Sequence, residues 1–352
     1  MFYRENGQFK TSYAADQAIF PILQDRIAII AILLVGFVVV PLVATEYVYT
    51  GILIPFLILA LATIGLNLLT GYCGQVSLGT GAFMAVGAYA AYNLVLRVPD
   101  MNLLVAFAVA GGIAALVGVL FGLPSLRIKG FYLAVATLAA QFFIDWVFIR
   151  IKWFTNYATN ATAPELLLFG IPLDSAMRRY LVTLAIVVVL ALVAKNLVRG
   201  ATGRAWMAVR DMDIAAEIIG IRLLRTKLIA FAVSSFYCGV AGALWGFMHL
   251  GAWEPLTFDV NRSFQVLFMV IIGGVGSILG SFLGAAFIFA VPILINQVPA
   301  ALGVPISTAL SSHLEAMIFG ALIIFFLIVE PHGFARLWQL GKEKLRLWPL
   351  PH

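Results

Sequence analysis

The sequence predicts an all-α, polytopic transmembrane helical bundle of about ten spans, with broken helices and both termini cytoplasmic. Three observations carry that prediction. The 352 residues are 63% hydrophobic and 11% charged, with a mean hydropathy of +1.04, whereas soluble domains are about 25% charged. Apolar runs recur at the roughly 20 residues that a helix needs to cross a hydrocarbon layer about 30 Å thick. Lys and Arg collect in the loops between those runs, as in the cytoplasmic loops of membrane proteins. The net charge of +6 is therefore a loop bias and not a nucleic-acid surface.

Residues 1–26 read as a cytoplasmic N-terminal segment mixing Arg4, Lys10 and Arg26 with Glu5, Asp16 and Asp25. The next run lacks a small-residue cleavage motif, so it reads as an uncleaved first span at 27–45. Further spans follow at 51–70, 75–96, 101–123, 130–149, 179–198, 228–250, 263–275, 277–297 and 307–329. Together they make a transmembrane domain over 27–330, followed by a basic cytoplasmic tail at 331–352. The run at 263–275 is too short to cross alone, which leaves the count between about eight and ten.

Orientation follows from the basic loops. The loop 199–227 holds Arg199, Arg204, Arg210, Arg222, Arg225 and Lys227, the turn after Pro124 holds Arg127 and Lys129, and the tail holds Arg336, Lys342, Lys344 and Arg346. Ten crossings put all three on one face with the N-terminus. The outer segment 150–178 carries Trp153, Asn156, Tyr157 and Asn160, which suit an interface, and also Arg150, Lys152, Arg178 and Arg179 against the rule. An echo links 74–90, GQVSLGTGAFMAVGAYA, with 274–290, GVGSILGSFLGAAFIFA. Each places a glycine break before a small-residue span, as duplicated transporter halves do; shared composition is the alternative.

Catalytic chemistry finds little support. No G-x-x-x-x-G-K-S/T phosphate loop, H-E-x-x-H or C-x-x-C occurs, and the two cysteines, Cys73 and Cys238, stand apart. The four histidines are scattered, and Ser312 beside His313 points away from it on a helix. No catalytic residue, metal site or cofactor of the chain's own is expected.

The stretch MAVRDMDIAAEIIGIRLLRTK, Met207 to Lys227, reads as a short capped helix. Asp211 is the expected N-cap and Gly220 the C′ residue that ends it. Ile214 and Ile218 form an apolar stripe, widened by Met212, Ile219 and Ile221. Ala215 and Ala216 allow close approach, Glu217 borders them, and Arg222 and Arg225 follow the helix end. Two turns are unstable alone, so the stripe is buried against this protein's own surface, against lipid, or in a groove of a separate protein.

That loop resembles the ATPase-coupling loop of ABC importer permeases. With GLNLLTGYCGQVSLGTGAFMAVGAYAAY (65–92), GLPSLRIKGFYLAVATLA (122–139), GRAWMAVRDMDIAAEIIGIRLLRTKLIAFAVSSFYCGVAGALWG (203–246) and VLFMVIIGGVGSILGSFLGA (266–285), the chain is similar to LivM-type branched-chain amino acid permeases, the LivM/LivH family. The resemblance runs in order over 27–335. It implies an inner-membrane permease subunit that pairs with a second, LivH-like permease in a heterodimer. It also implies two ABC ATPase subunits that bind the ATP, and a periplasmic substrate-binding protein. It gives Asp211, Asp213, Ala215, Ala216, Glu217 and Gly220 a coupling role. Urea and aromatic-acid permeases are similar too, and the outer stretch FTNYATNATAPEL lacks the family's Thr-Gly-Gly-rich run, so the substrate stays open.

A zwitterionic solute crossing such a bundle would use backbone groups freed at helix breaks. The candidates are Asn67, Gln75 and Ser77 at the first break, Gly273, Gly274 and Ser277 at the second, and Glu315 in the last span. Gln141 and Asp145, one turn apart, could share a face, and Lys195 reads as extending to the cytoplasmic interface. The rival class is an ion-coupled secondary transporter, which would show paired ionisable residues at mid-membrane. An intramembrane enzyme and a structural anchor explain less of the pattern.

Overall fold

In the computed structural model, residues 11–12, 23–125, 132–157, 161–162, 167–168, 170–301, 308–330 and 332–347 are described. Most of residues 1–26, Arg127 and Lys129, Asn160 and the end of the tail lie outside them. The described residues are mostly helical, with each apolar run on a helix. Helix α1 (Leu23–Leu34) continues through a π turn into Val40–Val43. Helix α2 (Ile54–Asn67) lies between π turns at Val48–Leu53 and Leu68–Tyr72. Then come α3 (Thr80–Arg97), α4 (Leu103–Ser125), α5 (Tyr132–Arg150) and α6 (Ala176–Arg199). Two short helices follow, α7 (Ala201–Asp211) and α8 (Asp213–Ile218), and then α9 (Leu223–Leu244), extended by a π turn to Leu250. Last are α10 (Val260–Gly273), α11 (Ile278–Ala301), α12 (Thr308–Val329) and α13 (Gly333–Leu347).

Among the described residues, eight helical stretches are long and apolar enough to cross a membrane. One corrects an expectation. The run read as too short at 263–275 belongs to a stretch from Leu256 to Gly273 of 18 residues. Its helix starts at Val260 because Asp259 caps it, Oδ1 accepting from the Arg262 amide at 3.2 Å.

Helix α9 is the centre of the bundle, packed against α2, α3, α4 and, at its start, α7. Small residues let it approach. A Cβ on Gly87 would collide with the Gly239 backbone, and one on Gly242 with the Met84 carbonyl. Lipid tails give no hydrophobic drive between helices, so such contact through glycine is what holds membrane helices together. Gly87→Leu is expected to prevent the α3–α9 crossing and leave no monodisperse protein on size exclusion in detergent; a normal elution profile would contradict this packing. At the bundle's edge, no part of the first span is buried, and Phe142, Phe143 and Trp146 of α5 are exposed.

The two ends of the bundle differ. At one end lie α7, α8, the breaks at 73–79 and 274–277, and α13. Lys342 of α13 reaches Asp25 of α1 at 3.1 Å, so both described chain ends meet there. At the other end, β1 (Ala161–Thr162) pairs antiparallel with β4 (Ala252–Trp253), and β2 (Leu167–Leu168) with β3 (Ile171–Pro172). Two of the basic residues that break the charge rule donate to carbonyls here. Arg178 Nη1 donates to Pro172 O and Arg179 Nε to Leu173 O, both at 2.9 Å. Arg97 donates to Trp153 O at 2.8 Å while its guanidinium lies 3.5 Å over that indole.

Candidate functional site

The site is built where two interrupted helices meet. The π turn after α2 unwinds at Cys73, and α3 begins only at Thr80. The second interruption separates α10 from α11, with Gly274 and Gly276 at φ 121° and 81°. The echoed segments thus share one construction, a glycine break followed by a helix. Irregular backbone at membrane depth needs protein to satisfy it, and Asn67 does so. Its Nδ2 donates to Ser277 O and Ser281 Oγ, both at 2.9 Å, and to Gly274 O at 3.3 Å. Its Oδ1 accepts from the Gly276 amide at 2.8 Å. Gly71 must stay side-chain-free, since a Cβ there would collide with Asn67 Oδ1 and the Gly276 amide. Asn67, Gly274 and Ser277 are therefore brought together, with Gly273 beside them.

The first break has its own caps. The free amides at the start of α3 are met by side chains from other helices. Thr137 Oγ1 accepts from Leu78 N at 2.9 Å, Ser263 Oγ from Gly81 N at 2.7 Å and Gln141 Oε1 from Ala82 N at 2.6 Å. Gln141 also accepts from Ser263 Oγ at 2.9 Å and donates to Phe258 O at 2.8 Å and to both oxygens of Asp145. The shared face of Gln141 and Asp145 thus has a purpose. The carboxylate orients the amide, and the amide caps α3.

The remaining candidates fall differently. Ser77 is buried, its hydroxyl accepting from Gly79 N at 3.4 Å. Gln75 engages through its backbone, its amide donating to Leu69 O and its carbonyl accepting from Thr70 Oγ1. Glu315 sits within α12, and its side chain lies outside the described residues.

The short helix of the 199–227 loop is α8, and the expected cap is corrected. Asp211 ends α7 and pairs with Arg210 Nε at 2.8 Å. Met212, extended at φ −159°, is the N-cap, and Asp213 is the first helical residue. The break after Asp211 uses up its carboxylate, so no side-chain cap forms. Arg222, which follows the end of α8, is also the N-cap of α9. Gly220 ends α8 as expected, at φ 93°. Its amide donates to Glu217 O at 3.0 Å and Ile221 N to Ala216 O at 3.0 Å, the double bond of a Schellman ending. Ala216 packs inward while Ala215 and Glu217 face out. Met212, Ile214, Ile218 and Ile219 are 68%, 64%, 81% and 73% exposed.

Arg210 was not singled out from sequence. Its Nη1 donates to Gly71 O at 2.8 Å, and its stem covers Gly74, where a Cβ would lie 2.9 Å from Arg210 Cγ. An arginine in a basic loop carries no local signal of such a contact. Cys73, between Gly71 and Gly74, is fully buried. Alkylation of the folded protein by N-ethylmaleimide at pH 7.5 is expected at under about a hundredth of the rate of free cysteine. Rapid single-site labelling by mass spectrometry would contradict that burial.

A family model described as branched-chain amino acid transport system / permease component matches residues 48–327. The chain is 28% identical over 308 residues to the high-affinity branched-chain amino acid transport system permease protein LivM of Escherichia coli (strain K12), spanning 81% of this chain and 68% of that protein. The LivM protein of Salmonella typhimurium matches to the same extent. The probable branched-chain amino acid transport permease protein LivM of Methanocaldococcus jannaschii is 24% identical over 241 residues, 66% of this chain and 67% of that protein. No solved structure matches this chain. The matched region holds both breaks, Arg210 and α8, and the chain belongs to the family of branched-chain amino acid transport permeases, as a multi-pass inner-membrane permease of an ABC importer.

Proposed function

We propose that this permease carries a branched-chain amino acid or a closely related small polar solute, and that α8 is the element on which an ABC ATPase subunit docks. The observation that carries this reading is the apolar stripe of Met212, Ile214, Ile218 and Ile219, exposed on a helix too short to stand by itself. The helix is closed by its own Schellman ending and held at one side by Ala216, so the stripe is presented and not buried. A groove on a partner protein fits it better than lipid, because the helix follows α7 in the most basic loop of the chain.

In this reading the end that carries α8 is cytoplasmic, with both termini there, and segment 150–178 faces a periplasmic substrate-binding protein. A second, LivH-like permease completes a heterodimer, and ATP is bound and hydrolysed by the partner ATPases. Asp213, Ala215, Glu217 and Gly220 shape the docking helix, and Asp211 anchors its approach. The chain performs no covalent chemistry and needs no cofactor; its two breaks, built on Asn67, Gln75, Ser77, Gly273, Gly274 and Ser277, border the path. Glu315 is carried in the same proposal as a path residue of the last span.

The test is co-purification of the ATPase subunit with Ile214→Asp/Ile218→Asp or with Glu217→Arg. Losing apolar anchors at a docking centre is expected to weaken association by roughly tenfold or more and to take ATP-driven uptake with it. Wild-type association and uptake in all these variants would sink the assignment.

A further inference from the structure

We infer that Arg210 is a positioning residue that ties the docking helix to both helix breaks, so that movement of α8 is delivered to the path. The inference rests on the reading of α8 as the ATPase contact. Arg210 precedes the two residues, Asp211 and Met212, at which the chain turns from α7 into α8. Helix α7 is anchored to the bundle. Trp206 is fully buried, its indole N–H donates to Thr226 O at 3.2 Å, and Val209 is buried beside it. The guanidinium then spans three elements. Nε is held by the Asp211 carboxylate at 2.8 Å, and Nη1 donates to Gly71 O at 2.8 Å. The same Nη1 is 3.5 Å from where a Gly276 Cβ would stand.

Gly71 O belongs to the π turn where α2 comes apart, a place where carbonyls lose their helical partners. Gly276 is fastened to α2 through Asn67 Oδ1. One side chain therefore contacts the end of α2, stands beside the α10–α11 break, and is bonded to the residue that starts the turn into α8. A displacement of α8 must carry Arg210, and Arg210 either takes the Gly71 turn with it or gives up a charge-assisted hydrogen bond. Gly74 leaves the space that the arginine stem fills, since a Cβ there would lie 2.9 Å from Arg210 Cγ. Coupling is claimed on this two-ended contact and not on proximity alone.

The experiment uses the whole complex in proteoliposomes, reading ATPase co-purification, ATP hydrolysis and leucine uptake together. For Arg210→Ala the ATPase is expected to co-purify and hydrolysis to continue. Leucine moved per ATP is expected to fall within the roughly 5- to 150-fold range of couplings between sites. Arg210→Lys, which keeps a charge and a donor, should recover a large part of that ratio. An unchanged ratio in Arg210→Ala overturns the inference, and so does loss of ATPase binding, which would make Arg210 part of the docking surface. If Arg210→Ala does not fold, Asp211→Asn frees Nε only; a smaller drop in the same ratio supports the inference, and an unchanged ratio overturns it. A wild-type complex that fails to retain its ATPase overturns the docking reading itself, a separate result.

Discussion

Asn67→Leu is expected to abolish uptake and to lower stability in detergent by about 1–3 kcal/mol, the cost of a buried polar group left without a partner. The wild-type side chain is 1% exposed and serves four groups of the second break. Its two N–H bonds face three acceptors, and the 3.3 Å contact to Gly274 O is the one shared most weakly. Leucine fills the volume but leaves the Gly276 amide without its acceptor, while the Ser277 carbonyl keeps the bonds from Ser281 N and Ser281 Oγ. Asn67→Asp would keep the acceptor for Gly276 N–H, yet it would set a carboxylate against carbonyl oxygens, so it is expected to do no better. Thermal unfolding followed by intrinsic fluorescence, with uptake in parallel, checks both. A wild-type midpoint in Asn67→Leu would show that the break holds itself.

The second large effect is expected at Gln141. Gln141→Leu removes the acceptor for Ala82 N and Ser263 Oγ and the donor to Phe258 O. The start of α3 then loses a cap inside the bundle, where water cannot replace it, and the expected cost is about 2–4 kcal/mol. Asp145→Asn is the informative companion. The Gln141 amide can donate to an amide oxygen as well as to a carboxylate, so a change below about 1 kcal/mol is expected. If Asp145→Asn is the more damaging of the two, the carboxylate has a role that capping does not explain.

These two residues show what was legible from sequence and what was not. Asn67 and Gln141 stood out as polar residues in apolar runs, and Asp145 as one turn from Gln141. Their partners did not. Asn67 reaches residues 207 to 214 positions away, and Gln141 caps a helix 59 positions before it while holding a carbonyl 117 positions after it. No periodicity connects such positions. The Asp211 cap failed for a related reason. Asp211 ends α7 and pairs with Arg210, which also bonds Gly71 on another helix, and the cap position falls to Met212. The short eighth span was misjudged because its first turn is capped by a polar residue, Asp259, in a stretch that hydropathy reads as loop.

What the sequence determined by itself is local: the apolar runs, the basic loops, the glycine breaks, the end of α8 at Gly220 and the apolar stripe that precedes it. Each depends on residue type and spacing along one segment, through helix length, left-handed backbone at glycine and amphipathic repeat. Only the tertiary structure decided that the two breaks abut, that Asn67 holds one while Gln141 caps the other, and that Arg210, in the loop bearing α8, bonds the carbonyl of Gly71. Those are hydrogen bonds between distant segments. Their existence follows from the need to satisfy broken backbone in an apolar surround, but their pairing depends on which helices pack side by side.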